Sequence, residues 1–216
     1  MDPQASDVDA YLQFAESKGM KITQVIDTHI QADHLSGGQL LAEKTGGNYC
    51  LHQSASVAFA FTPLVDRQEL EFGNVIVQVL HTPGHTRESI CLLVTDKTRG
   101  PEPWFLLSGD TLFVGAVGRP DLPGHARESA AELYDSLKNK ILLLPATLEI
   151  YPTHFSGSVC GAGMSGKPMS TLAFEKKWNP TLRLDRDEFI EMMTKSVLPK
   201  PTEMETILRA NQGREQ

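Results

Sequence analysis

Apolar positions along the chain change their period several times, and each change marks an element. Val8, Leu12 and Ala15 recur at helical spacing behind Ser6 and Asp7, residues suited to an N-cap, so the opening predicts a helix that stops at Gly19. Ile22 to Asp27 alternates with the two-residue period of a strand and runs directly into the polar cluster Thr28 to His34. Leu35 to Lys44 returns to a helical pattern and ends at Gly46-Gly47. From Tyr49 to Leu107 short β segments replace helices, with strands expected at Val75 to Leu80, Ile90 to Val94 and Trp104 to Leu107. Glu128 to Leu144 is a helical run, Leu148 to Tyr151 a strand, and His154 to Pro168 a loop rich in Gly and Ser. Asp185 to Lys195 and Thr202 to Ala210 are helical again. This order predicts an α/β protein in which sheets are flanked by helices, and with no internal repeat or linker it fits a single domain over residues 1–216.

Composition narrows the function. With 40% hydrophobic and 22% charged residues the chain is an ordinary globular one, and its size allows about 70% of the unfolded surface to be buried without a disulfide or structural metal. A bound metal would then serve chemistry. The net charge of −7, from 27 acidic against 20 basic residues with no basic block, argues against a nucleic-acid partner. Cys50, Cys91 and Cys160 are far apart and odd in number, so a disulfide framework is not expected and a reducing compartment is. No apolar run reaches the roughly 18 residues of a membrane span, and Met1-Asp2-Pro3-Gln4 lacks the features of a secretory leader. These features predict a cytoplasmic protein with no membrane partner.

Chemistry concentrates at strand ends. Thr28-His29-Ile30-Gln31-Ala32-Asp33-His34 puts two imidazoles and a carboxylate in one short stretch, where residues two apart in an extended chain project to the same side. His81-Thr82-Pro83-Gly84-His85 turns tightly after an apolar strand and aims His85 off its end, whereas His81 fits a hydrogen-bonded structural role. Asp110 follows Ser108-Gly109 after the third such strand, and His154 follows a fourth. A charge buried at such positions is tolerated when paired or bound to metal, and two His with one carboxylate suit zinc or non-haem iron.

The motifs T-H-I-Q-A-D-H, P-G-H, G-D and a final His after a strand resemble the metallo-β-lactamase superfamily across nearly the whole chain. The resemblance implies that superfamily's αββα sandwich. Thr28 to Gly38, His81 to His85 and Gly115 to Leu122 are most similar to persulfide dioxygenases, including bacterial forms fused to rhodanese domains, with glyoxalase II the nearest hydrolytic relative. The persulfide dioxygenase resemblance implies one Fe(II) per chain held by His29, His85 and Asp110, with Zn(II) the alternative. Asp33, His34 and His154 are then residues that hydrogen-bond and orient the ligands, or in a binuclear hydrolase hold a second ion. Gln31 departs from the family's T-H-x-H-x-D-H; its amide cannot supply an imidazole nitrogen, which favours a mononuclear iron site. Met1-Asp2-Pro3 resembles the end of an early strand, so the first strands of the family fold are expected to be missing, leaving a sheet edge for a partner chain to cover, as in a homodimer.

On this resemblance the activity is oxidation of a low-molecular-weight thiol persulfide, such as glutathione persulfide, by O2 to sulfite and thiol. A rhodanese domain or protein is an expected associate. The alternatives are a zinc thioester hydrolase of glyoxalase II type and an inactive relic that binds metal. Arg119 either binds a carboxylate or the persulfide anion or pairs with Asp121. Lys167 is a candidate contact for an anionic substrate tail and Cys160 a candidate sulfur carrier. Tyr151, Trp104 and Phe113 are assigned to packing, and His52 and His125 to surface or turn roles.

Overall fold

The structure, a computed structural model, describes residues 1–122, 124–155, 163–195 and 202–214. In chain order its elements are α1 (Val8–Ser17), β1 (Gln24–Ile26), α2 (Gly38–Thr45), β2 (Asn48–His52), β3 (Thr62–Leu64), β4 (Glu69–Phe72), β5 (Val75–His81), β6 (Ile90–Asp96), β7 (Phe105–Gly109), α3 (Ala126–Asn139), β8 (Glu149–Pro152), β9 (Ser170–Thr171), α4 (Leu172–Trp178), α5 (Arg186–Lys195) and α6 (Met204–Asn211). They form two compact units, residues 1–64 with 201–216 and residues 65–200.

The first unit is built on a three-stranded parallel sheet in the order β1, β2, β3, with α2 as the crossover between β1 and β2. Val25, Leu41, Ala42 and Val8 form its buried cluster. The helical pattern that opens at Leu35 becomes helix only at Gly38, because the Ser36 hydroxyl accepts the Gly38 N–H at 2.9 Å and Ser36 itself bridges to Gln4. Gly46, at φ 67°, ends α2 in the left-handed conformation that glycine adopts without strain.

The second unit carries a six-stranded sheet in the order β4 to β9, antiparallel throughout except for β7 beside β8. One face of this sheet supplies Leu80, Cys91, Leu93, Leu106 and Ile150 to a core shared with Leu133 and Leu137 of α3 and Phe189 of α5. The helical run expected to reach Leu144 stops at Asn139, since Lys140 leaves the helical region and 141–143 tighten into a 3-10 turn. Two elements have no counterpart in the sequence pattern. They are β9, two residues long and defined by its pairing to β8, and α4, whose N-cap Thr171 accepts the Phe174 N–H at 3.3 Å. No described helix is long and apolar enough to cross a membrane.

Candidate metal centre

In the second unit the parallel pairing of β7 with β8 brings two ligand-bearing strand ends side by side, and the Thr153 N–H donates to the Gly109 carbonyl at 3.2 Å just beyond the register. Asp110 and His154 therefore meet: Asp110 Oδ1 lies 2.9 Å from His154 Nδ1. His85 arrives from β5 through Thr82-Pro83-Gly84. A Cβ on Gly84 would fall 2.4 Å from the Leu133 Cα, so the missing side chain is what seats this turn on α3. The Thr82 and Thr111 hydroxyls, 2.9 Å apart, tie the same turn to the end of β7.

The protonation of these rings follows from their partners. The Arg119 carbonyl, 2.9 Å from His85 Nδ1, can only accept, so Nδ1 carries the proton and Nε2 keeps a lone pair. That Nε2 is 3.5 Å from Asp110 Oδ2, and both side chains are fully buried. The same logic assigns the His154 proton to Nδ1, which faces a carboxylate. The loop that presents Arg119 is anchored by a buried acid, because Glu175 Oε2 accepts from the Gly115 N–H at 2.9 Å and from Asn179 Nδ2 at 3.0 Å.

The first unit prepares His29 in a similar way. Asp2 accepts from the Thr28 N–H at 2.7 Å, the Thr28 hydroxyl at 3.1 Å and Gln31 Nε2 at 2.9 Å. A hydroxyl has one proton, and here the carboxylate takes it. In the 2.9 Å contact between Thr28 Oγ1 and His29 Nδ1 the imidazole is therefore the donor, and Nε2 again bears the lone pair. Gln31, with Nε2 tied to Asp2, directs Oε1 elsewhere, and this buried oxygen has no hydrogen-bond partner among the described residues. His34 Nδ1 lies 3.1 Å from Asp33 Oδ1. Beneath the loop, Asp27 accepts from Ser36 Oγ at 2.5 Å and Tyr49 Oη at 2.7 Å; burial, then the Asp2 carboxylate, push its carboxyl up to about 6. Thr28→Val, which keeps the shape and deletes the hydroxyl relay, is expected to weaken metal binding by roughly 10- to 100-fold. Chelator competition measures it, and an unchanged affinity would remove Thr28 from the site.

The remaining sequence candidates divide clearly. Of the two readings of Arg119 the structure contains the ion pair: Nε and Nη2 each reach an Asp121 carboxylate oxygen at 2.7 Å in a two-pronged contact. Lys167 is exposed. Cys160 lies outside the described residues. His81 is structural as expected, with Nε2 2.9 Å from the Arg87 carbonyl. His52, assigned to the surface or a turn, is buried and bonds to Ser54 in the turn after β2. Phe113 is buried and Tyr151 packs edge-on against Phe105, while Trp104 is partly exposed under the Arg99 guanidinium. Asp2 and Glu175 were missed by the sequence reading; the Asp-Pro after Met1 was the only local signal of the first.

The family model described as the metallo-β-lactamase superfamily matches residues 3–154. The chain belongs to this superfamily. Mitochondrial persulfide dioxygenase ETHE1 of Bos taurus is 28% identical over 211 residues, covering 98% of this chain and 76% of that protein. The crystal structure of ETHE1 from Myxococcus xanthus superimposes with a TM-score of 0.84 at 30% identity, covering 99% of this chain and 87% of its own. A metallo-β-lactamase structure from Staphylococcus aureus gives a TM-score of 0.92 at 31% identity over the whole chain, which spans 65% of that longer protein. The metallo-β-lactamase fold and the likeness to persulfide dioxygenases expected from the motifs are thus both borne out.

Proposed function

We propose that the protein is a mononuclear iron(II) dioxygenase that oxidises a low-molecular-weight thiol persulfide, glutathione persulfide being the reference substrate, to sulfite and thiol. The observation that carries the reading is the pair in the second unit, where His85 Nε2 lies 3.5 Å from Asp110 Oδ2 with both side chains fully buried, and His29, buried in the first unit, is the third donor of the set. Two neutral imidazoles and one carboxylate with further positions open is the ligand pattern of non-haem Fe(II) oxygenases. The residues fit such an ion, since both imidazoles are protonated at Nδ1 by their hydrogen bonds and turn Nε2 outward as a σ-donor. Bound iron(II) would supply the electron transfer that lets O2 react with a closed-shell sulfur.

The chain's own contribution in this reading is positional and electrostatic. Asp110 supplies the negative charge that a dication requires and is held by His154. Arg119 orients His85 through its carbonyl while Asp121 fixes the guanidinium. Lys167, exposed beside the Ser165-Gly166 turn, offers a cation to an anionic substrate tail.

One observation favours a second reading. Asp33 and His34, 3.1 Å apart in the first unit, and His154 in the second are further donors of the kind that a two-zinc thioester hydrolase of glyoxalase II type would need. Gln31 weighs against it, because the position contributes no imidazole nitrogen. Reconstitution under anaerobic conditions with Fe(II) or Zn(II) separates the two. The expected result is one iron per chain and O2 uptake with sulfite release from glutathione persulfide. Zinc-dependent cleavage of S-lactoylglutathione without O2 uptake would reverse the assignment.

A further inference from the structure

The segment that carries His29, Gln31, Asp33 and His34 is fastened from two directions within the first unit. Its start is held by Asp2 through Thr28 and Gln31. Its end is held by a residue about 180 positions away. Asn211, the last residue of α6, donates through Nδ2 to the Gln31 carbonyl and to the His34 carbonyl, both at 2.8 Å, and its Oδ1 accepts the Ser36 N–H at 2.9 Å. Both amide hydrogens and the amide oxygen are engaged, so the carboxamide meets three backbone groups of one loop and fixes their relative orientation. These groups have no strand or helix to satisfy them, since 31–35 follow neither pattern.

The helix that delivers Asn211 is itself anchored to the same unit. Ala58 N–H donates to the Gln212 carbonyl at 2.8 Å, Arg214 Nη2 reaches Ser56 Oγ at 2.8 Å, and Met204 is buried. The side chain therefore approaches the loop from a fixed base.

We infer that Asn211 is a positioning residue for the metal-binding loop: by clamping the backbone at Gln31, His34 and Ser36 it sets the geometry in which His29 and its neighbours present their donor atoms. The inference rests on the metal-site reading above. It assigns a role in that site to the C-terminal helix, which carries none of the ligands. Removing the clamp leaves the ligands in place but frees the loop, so the effect falls on metal affinity as it does for other groups that orient ligands, typically by about 10- to 100-fold.

The test uses the full-length protein and three variants. Asn211→Asp keeps the size and sets an oxygen against two carbonyls; Asn211→Ser is the milder change. Arg209→Gln, on the same helix, breaks only an exposed pair with Glu205 and serves as the control. Zn(II) affinity is measured by chelator competition, and melting temperature with and without Zn(II). For both Asn211 variants the expected result is a 10- to 100-fold loss of affinity and a smaller metal-induced rise in melting temperature, with Arg209→Gln like wild type. A purely structural role would lower the melting temperatures with and without metal alike and leave affinity intact, and that outcome overturns the inference alone. If the wild-type protein binds neither Zn(II) nor Fe(II), the metal-site reading falls and this inference with it.

Discussion

Replacing Asp110 with asparagine is expected to weaken metal binding by more than the roughly 10- to 100-fold typical of groups that only orient ligands, and to abolish oxygen uptake with glutathione persulfide. Asp110 is the only anion in the proposed trio, and both its oxygens face His154 Nδ1, Oδ1 at 2.9 Å and Oδ2 at 3.2 Å, while Oδ2 also lies 3.5 Å from His85 Nε2. Asparagine keeps one acceptor oxygen and puts an NH2 donor in place of the other. If the amide oxygen stays with His154, the NH2 group turns toward the Nε2 lone pair of His85 and competes with the ion for it. If it flips, two donors face each other across the His154 contact in a fully buried position, which is costly. Either arrangement removes the charge that balances a dication. Metal content after anaerobic loading, read beside the far-UV circular dichroism of the folded protein, checks the result; a folded variant that still holds one equivalent of iron would exclude Asp110 as a ligand.

Three of the candidate site residues were legible because a strand end is a local event. Each of the apolar runs before His85, Asp110 and His154 is buried on at least one face, and its end is marked by Gly or Pro, so the residue that follows is placed by the pattern itself. The strands β5 to β8 of the second unit were accordingly found with ends shifted by one or two residues, as in Val75–His81 for an expected Val75 to Leu80 and Ile90–Asp96 for Ile90 to Val94. What sets the state of the candidate ligands is non-local and was not legible. The His29 proton is fixed through Thr28 by a carboxylate 26 residues earlier, and the His85 proton by a carbonyl 34 residues later. Asn211 and Glu175 reach their loops across 180 and 60 residues, and nothing in their own neighbourhoods marks them as more than surface-helix residues. The Arg119 ambiguity was of another kind: an Arg two residues from an Asp is compatible with a ligand site or a pair, and only the 2.7 Å contacts decide which is formed.

Gly118→Ala is expected to disable the site without replacing a proposed ligand. A Cβ at this position would lie 1.9 Å from the Asp110 carbonyl oxygen and 3.1 Å from His85 Nδ1. The first neighbour is backbone at the end of β7, which cannot rotate away as a side-chain tip would, so the 117–119 segment has to retreat. Its retreat draws the Arg119 carbonyl off His85 Nδ1, and with it goes the bond that keeps the Nε2 lone pair directed outward. Overpacking of this kind typically costs about 1–3 kcal/mol of stability, and the loss of the orienting bond about 10- to 100-fold in metal affinity. Gly115→Ala separates sterics from backbone strain in the same loop. Gly115 has φ 84°, where alanine is strained by about 1–2 kcal/mol, but its nearest neighbour to an added Cβ is 3.6 Å away and its N–H bond to Glu175 survives. Chelator competition on the two variants should therefore diverge, with Gly115→Ala destabilised yet close to wild type in affinity and Gly118→Ala deficient in both. Equal metal affinity in the two would mean that the close approach at Gly118 plays no part in holding His85.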